Sequence, residues 1–398
     1  MPYYIGDVIK NEGKLIARTP EKFRQTGIDV QLDTEVLSVN YEEKTIELRD
    51  NKKITFDFLV MATGAKAISP DLPGARNPGV FTLKNLEDAI KIKTYLQEKK
   101  CRKAIIVGAG FIAMEMSESL CKAGIQTTVF HRGELPATRW DPELSKLMLE
   151  ELKANEVEFV PHAETTSIEE GKNYSLCAVT NQGKWEADLI LFAVGVKPNV
   201  ELARAMGLTI GPTGAIAVNH FQETSQENVY AAGDCCESYN RISRRFVNIP
   251  LGDIANKQGR VVGRNIGAKP LTFPGIVGAQ SFRLFNLEAA ATGLDEKEAI
   301  AANYDPVSTL VWGNAIAGSL GQQKIGLKLM ADKSSGKLLG AQAVGFAGAV
   351  SRINALSVAL WSGMTIEEIG YLDLAYSPPY GGAWDIIHNA AQALRRAI

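Results

Sequence analysis

The sequence predicts an α/β fold: two Rossmann-like dinucleotide-binding domains, the first incomplete on its N-terminal side, and then a C-terminal α+β domain. Three observations carry this. A glycine fingerprint, Val107-Gly-Ala-Gly-Phe-Ile-Ala113, stands between a strand pattern and a helical pattern. A separate strand-and-turn, Thr224-Ser-Gln-Glu-Asn-Val-Tyr-Ala-Ala-Gly-Asp234, belongs to a second nucleotide unit. Past residue 271, strand patterns come first and helical patterns after, the order of an α+β domain rather than of βαβ repeats.

A chain of 398 residues exceeds one ordinary core and divides into four blocks. Residues 1–76 are strand-rich, with alternating patterns at 30–39, 45–49 and 54–60, and close on a Pro/Gly-rich stretch at 69–79. They read as a partial first dinucleotide domain. Residues 77–200 alternate strand and helix: 104–107 is a buried-type strand, 111–123 a helix and 126–130 the next strand. That is a βαβ unit and implies a parallel sheet. Residues 201–270 return to the first domain. Residues 271–398 hold strands at 309–312 and 325–330 and helices at 351–361 and 383–394.

Composition excludes several classes. Apolar content of 45% and charged content of 22% are those of an ordinary globular chain. A net charge of -2 gives no reason to expect a nucleic acid partner. The basic run at 241–245 is short and reads as a solvated loop. No apolar run reaches membrane-spanning length and no signal peptide opens the chain, so no membrane is expected. Five cysteines (Cys101, Cys121, Cys177, Cys235, Cys236) form no C-x-x-C pair. Neither a disulfide framework nor a metal site follows, and the reducing cytoplasm is the expected compartment. Adjacent Cys235 and Cys236 read as small residues packed behind a cofactor loop.

The fingerprint has a physical reading. Gly108 permits the tight turn, Gly110 lets the backbone approach a pyrophosphate, and Ala113 lets the helix pack closely. Phe111, Ile112 and Ala113 form the first turn, whose free N–H groups face the phosphates. An acidic residue at the end of the following strand would bind the ribose of NADH. This chain has His131 and Arg132 there instead. Arg132 suits a 2′-phosphate and His131 assists, which favours NADPH, or dual use with NADH. The alternative is that both are solvent-facing loop residues. Two strand-to-turn signatures, Ala62-Thr63-Gly64 and Ala193-Val194-Gly195, let a crossing strand pass close to a bound dinucleotide. Asp234, after Gly233, can accept a hydrogen bond from the ribityl chain of FAD. The stretch 250–260, which includes the candidate Ala255, starts a helix with Pro250 in its first turn, and the helix's positive N-terminal end would stabilise reduced flavin.

These residues resemble the coenzyme A-disulfide reductase branch of the pyridine nucleotide-disulfide oxidoreductases, which also holds NADH oxidases and NAD(P)H persulfide reductases. The strings that carry the resemblance are Pro2-Tyr-Tyr-Ile-Gly6, the fingerprint through Glu115, residues 224–234, Ala255-Asn-Lys-Gln-Gly-Arg260, Arg352-Ile-Asn354 and Leu372-Asp-Leu-Ala-Tyr-Ser-Pro-Pro379. The resemblance implies FAD, NADPH or NADH, a homodimer, and a small-molecule disulfide or persulfide as substrate. It implies that Tyr376, in the dimerisation domain, reaches the partner subunit's flavin and sulfur site. It also implies that Glu115 faces the nicotinamide. His388, on an apolar helix, reads as structural. For substrate contact the candidates are Arg24, Lys257 and Trp384, with Lys22 beside them. Trp384 stands where coenzyme A-disulfide reductases can carry lysine, which weakens coenzyme A disulfide itself as the substrate.

In this branch the redox cysteine lies in Cys-Gly-(Leu or Met)-Pro-Tyr-Tyr-Ile, and the sequence opens on the Met of that string. The cysteine and the first glycine fingerprint are expected upstream of a start placed at an internal Met. The other explanation is a truncated gene, whose product would lack a central strand and fold poorly. A non-catalytic remnant that binds NAD(P)H, and an oxidase using oxygen, are the competing readings.

Overall fold

A computed structural model describes residues 1–398. The chain forms two compact units: residues 1–15, 67–195 and 277–398, and residues 16–66 and 196–276. The expected boundaries at 76, 200 and 270 thus differ from the observed breaks, and residues 1–15 fall with the first unit.

At the heart of the first unit is a five-stranded parallel sheet. Its order is Val80–Thr82, Leu189–Phe192, Lys103–Val107, Gln126–Phe130, Glu158–Val160. Ala104, Ile105 and Ile106 are fully buried, as an interior parallel strand covered on both faces requires. The helices Phe111–Lys122 and Pro142–Ala154 bury Met114, Met116, Leu120, Leu144 and Met148 in the same core. Residues 1–15 join it through Tyr4 and Ile5. Buried Lys93 ties them down: its Nζ donates to the Tyr4 carbonyl at 3.0 Å, pairs with Asp7 at 2.7 Å and lies 4.0 Å from the Tyr4 ring centroid.

The C-terminal part of this unit is a five-stranded antiparallel sheet in the order Gln280–Leu284, Leu287–Gly293, Leu338–Gly345, Lys324–Asp332, Pro306–Asn314. Helices Ala349–Ser362 and Ile386–Arg395 pack on it. It is fastened to the parallel-sheet part by buried groups. The Trp140 ring meets Phe282 edge-on at 5.1 Å and its Nε1–H donates to the Ala290 carbonyl at 3.1 Å. Glu118 and Glu151, both buried, accept the Phe285 and Asn286 N–H groups at 2.8 and 3.0 Å. Glu118 thereby satisfies the N–H of buried Phe285, which would otherwise be unpaired, and Glu151 holds the next residue of the same strand-to-strand turn.

The second unit contains an antiparallel sheet of Val36–Asn40, Thr45–Leu48 and Lys53–Thr55, and a parallel pair of Leu59–Met61 with Val229–Ala231. Its core includes Met61, Ala203, Ile216, Val229, Cys235 and Cys236. The strand expected at 30–39 begins only at Val36, because Asp33 takes φ +52° and turns the backbone. The helix expected from Pro250 begins at Gly252, because Leu251 stays extended at φ -125°, ψ 137°.

Candidate functional site

In the first unit the fingerprint makes a cradle at the end of a buried strand. Gly108 has φ +113°, and a Cβ there would run into the Ala193 carbonyl, so only glycine fits. Gly110 is different. A Cβ on it would meet no atom within 4 Å. The chain itself does not demand glycine at 110, whereas a phosphate group approaching the backbone would. Gly110 is also the N-cap of the Phe111–Lys122 helix and offers no side chain to its first-turn N–H groups. Phe111 is exposed, Ile112 half-buried and Ala113 fully buried. This is the open, N–H-lined pocket that a dinucleotide pyrophosphate requires, and the residues fit the group.

Around the cradle stand the other expected residues. Gly195 accepts the Ile68 N–H at 3.0 Å, closing the strand-to-turn signature next to Ala193. His131 directly follows the strand that ends at Phe130, and its Nε2 is buried with no hydrogen-bond partner. Burial holds its pKa below the usual value, and Arg132 and His162 push the same way. Arg132 is exposed. His162 was missed in the sequence. Its signal was there only in hindsight: a non-glycine residue at φ +55° just after the strand Glu158–Val160. Glu115, one turn into the Phe111 helix, has its carboxyl held above the usual range by burial, with Glu118 adding to it. Tyr3 shares this environment. Burial raises its phenol, and Glu115 and then Glu118 raise it further. Close packing of Gly6 on Ser119 brings Tyr3 there.

Tyr376 and Trp384 lie in the segment between Tyr371 and the Ile386–Arg395 helix, and both are more than half exposed.

The second unit assembles a different group. Thr63 Oγ1 donates to the Asn199 carbonyl at 2.6 Å, Asn199 Nδ2 donates to the Thr63 carbonyl at 2.9 Å, and the Asn199 N–H reaches the Gly64 carbonyl at 2.9 Å. Ala62 and Thr63 are exposed on this turn. The Gly233 N–H donates to Gln258 Oε1 at 2.9 Å, and a Cβ at 233 would touch the Ala255 methyl at 3.5 Å. The turn before Asp234 is therefore fixed against the Gly252–Ile266 helix at the expected Ala255. The Asp234 carbonyl accepts from Asn248 Nδ2 at 3.0 Å. Cys235 and Cys236 are fully buried behind this turn. The Cys235 thiol is lowered to about 6, first by a hydrogen bond from Cys236 and also by Thr63 and Gly64, while Cys236 is pushed up.

Two of the substrate candidates have local partners. Arg24 donates to the Val30 carbonyl at 3.1 Å and faces Glu21 at 3.5 Å. Lys257 pairs with Asp253 at 3.0 Å, one helical turn away on an exposed face.

These features define a class: an α/β protein with a glycine-fingerprint cradle on a parallel sheet, a second strand-and-turn unit, and an antiparallel C-terminal sheet. Comparison with known proteins narrows it. Residues 5–259 match the model of the pyridine nucleotide-disulphide oxidoreductase family, and residues 279–386 match that family's dimerisation domain. The chain is 37% identical to the NAD(P)H sulfur oxidoreductase (CoA-dependent) of Pyrococcus furiosus, over 99% of this chain and 89% of that protein. It is 30% identical to the coenzyme A disulfide reductase of Staphylococcus aureus, over 98% and 88%. The solved structure of a NAD-dependent persulfide reductase from A. fulgidus matches with a TM-score of 0.95 and 34% identity, covering 100% of this chain and 75% of that one.

The chain belongs to the pyridine nucleotide-disulphide oxidoreductase family. It is an FAD-dependent NAD(P)H oxidoreductase with a dimerisation domain. No helix is long and apolar enough to cross a membrane.

Proposed function

We propose that this protein reduces a small-molecule disulfide or persulfide, coenzyme A-linked in the leading case, with electrons from NADPH or NADH relayed through FAD. The observation that carries this is the cradle left open over Gly110 in a chain that aligns almost end to end with sulfur-reducing relatives. The net reaction consumes NAD(P)H, one proton and the disulfide, and releases NAD(P)+ and two thiols. FAD, when bound, supplies the step between hydride and electron-pair chemistry.

In this reading the first-turn N–H groups of the Phe111 helix hold the pyrophosphate. Arg132 takes the 2′-phosphate of NADPH and His131 completes that end. Glu115 orients the nicotinamide. Gly233, Asp234 and Ala255 line the ribityl side of FAD, with Ala62, Thr63, Gly64 and Gly195 at the crossing turns. The Tyr376 phenol donates a proton to the departing thiolate in the partner subunit's site. By motif, none of Cys101, Cys121, Cys177, Cys235 or Cys236 stands in the family's Cys-Gly-(Leu or Met)-Pro-Tyr-Tyr-Ile string. Trp384 is the candidate at the substrate's far end, and Arg24 and Lys257 are the weaker ones. A cytoplasmic setting belongs to the same proposal, supported by five cysteines that are all free.

The test is anaerobic. FAD-loaded protein is mixed with NADPH or NADH and coenzyme A disulfide, and released thiol is counted. Two thiols per coenzyme oxidised is the expected result. Coenzyme oxidation that needs oxygen and yields no thiol would replace this reading with an oxidase. NADPH binding without FAD retention or turnover would leave a remnant.

A further inference from the structure

We propose that His388 and Arg352 are positioning residues that hold residues 372–385 as a preformed arm and so set Tyr376 for the acceptor half of the reaction. The inference rests on the disulfide-reducing reading above. The segment contains no helix or strand. Its aromatic side chains Tyr376, Tyr380 and Trp384 are 58%, 75% and 55% exposed, so burial does not fix their positions. A loop of this length without secondary structure needs some other restraint to present a side chain in one place.

That restraint is a closed neck. His388 is 8% exposed on the Ile386–Arg395 helix. Its Nδ1 accepts the Asp385 N–H at 3.1 Å, and its Nε2 lies 2.8 Å from the Leu372 carbonyl. One tautomer, with its hydrogen on Nε2, serves both bonds. The ring thus joins the first residue of the segment to the last. Trp384 packs edge-on against it, with ring centroids 5.6 Å apart.

Arg352 closes the neck from the other side. Its Nη2 donates to the Tyr380 carbonyl at 2.8 Å, the Ala315 carbonyl at 3.2 Å and Asp385 Oδ2 at 2.7 Å. Nε reaches the same carboxylate at 3.2 Å, and Nη1 reaches the Gly348 carbonyl at 3.3 Å. A buried guanidinium is tolerated only when its donors are met, and here each nitrogen is engaged. The planar fork spans a carboxylate and a loop carbonyl together, which an ammonium does not reproduce. The middle of the segment is tied as well, by the Ala317 N–H donating to the Pro378 carbonyl at 2.8 Å. All these bonds end on backbone or on Asp385. Both residues therefore act on Tyr376 only through the path of the segment.

The experiment compares His388→Ala, Arg352→Lys and Tyr376→Phe with the wild type, as FAD-loaded dimers. Three quantities are read: flavin reduction by NADPH, flavin reoxidation by coenzyme A disulfide, and amide hydrogen exchange over residues 372–385. His388→Ala and Arg352→Lys are expected to raise exchange across the segment about fivefold or more. They are expected to slow reoxidation about tenfold, leave reduction within about twofold, and slow nothing further when added to Tyr376→Phe. If His388→Ala does not fold, His388→Gln, which keeps a donor for the Leu372 carbonyl, takes its place and is expected to show a smaller loss. Unchanged exchange, equal slowing of both half-reactions, or full additivity with Tyr376→Phe overturns the proposal. A wild-type flavin that coenzyme A disulfide never reoxidises overturns the substrate reading and, with it, the catalytic part of this one. Raised exchange in the variants would then still establish the neck.

Discussion

At the scale of single residues, two positions in the same fingerprint are glycine for different reasons. Gly108 is forced by the chain: its φ is +113° and a side chain would enter the Ala193 carbonyl. Gly110 is free of its own neighbours, so in the proposed reading it is the approaching pyrophosphate that requires glycine there. Gly108→Ala is therefore expected to strain the turn by about 1–3 kcal/mol and to weaken NADPH binding about tenfold or more by calorimetry. Undiminished affinity would show that the turn is not what shapes the cradle. Arg132 and His131 allow a sharper test. A charge-assisted bond is worth about 1.5–3 kcal/mol, so Arg132→Ala is expected to weaken NADPH binding about tenfold and leave NADH binding nearly unchanged. Unchanged binding of both coenzymes would assign Arg132 to the solvent instead.

At the scale of elements, the loop from His131 to the Pro142–Ala154 helix has two duties. Its start follows the strand Gln126–Phe130, where the coenzyme is proposed to lie, and its end fastens the parallel sheet to the C-terminal sheet. Arg139 donates to the Gly293 carbonyl at 2.7 Å and pairs with Glu298 at 2.6 Å, while the Asp141 N–H donates to Gln342 at 2.8 Å. Trp140 is the buried centre of this seam. Trp140→Ala is expected to cost about 3–5 kcal/mol of stability, read as a lower denaturant midpoint. A loss below about 1 kcal/mol would mean that the polar bonds hold the seam without the indole.

At the scale of the whole molecule, one buried thiol links stability to pH. Cys235 is lowered to about 6 in the fold, whereas an ordinary thiol titrates near 9. Its thiolate therefore stabilises the folded state fully above pH 9. That contribution falls as pH drops from 9 toward 6 and is gone below 6. The other four thiols are raised, so none of them titrates in that window. Between pH 6 and 9 the thermal midpoint of wild type is expected to rise with pH relative to Cys235→Ser. Thiolate absorbance near 240 nm should appear with a midpoint near 6 in wild type only. Parallel midpoint curves for the two proteins would sink the assignment.

The sequence alone determined the elements whose cause is local. The strand–glycine–helix run at 103–122 was legible because periodicity, turn chemistry and close packing all act within a few residues there. The strand Gln126–Phe130 and the late helices were legible for the same reason. Motif strings likewise gave the family and its cofactors. Only the tertiary structure decided what depends on residues far apart in sequence. It put residues 1–15 with the first unit through Lys93, brought Glu115 beside Tyr3, and left the His131 Nε2 buried without a partner. It lowered the Cys235 thiol and tied His388 to Leu372 across sixteen residues. Each of these rests on burial or a through-space contact, and neither is written in the spacing of residues along a chain.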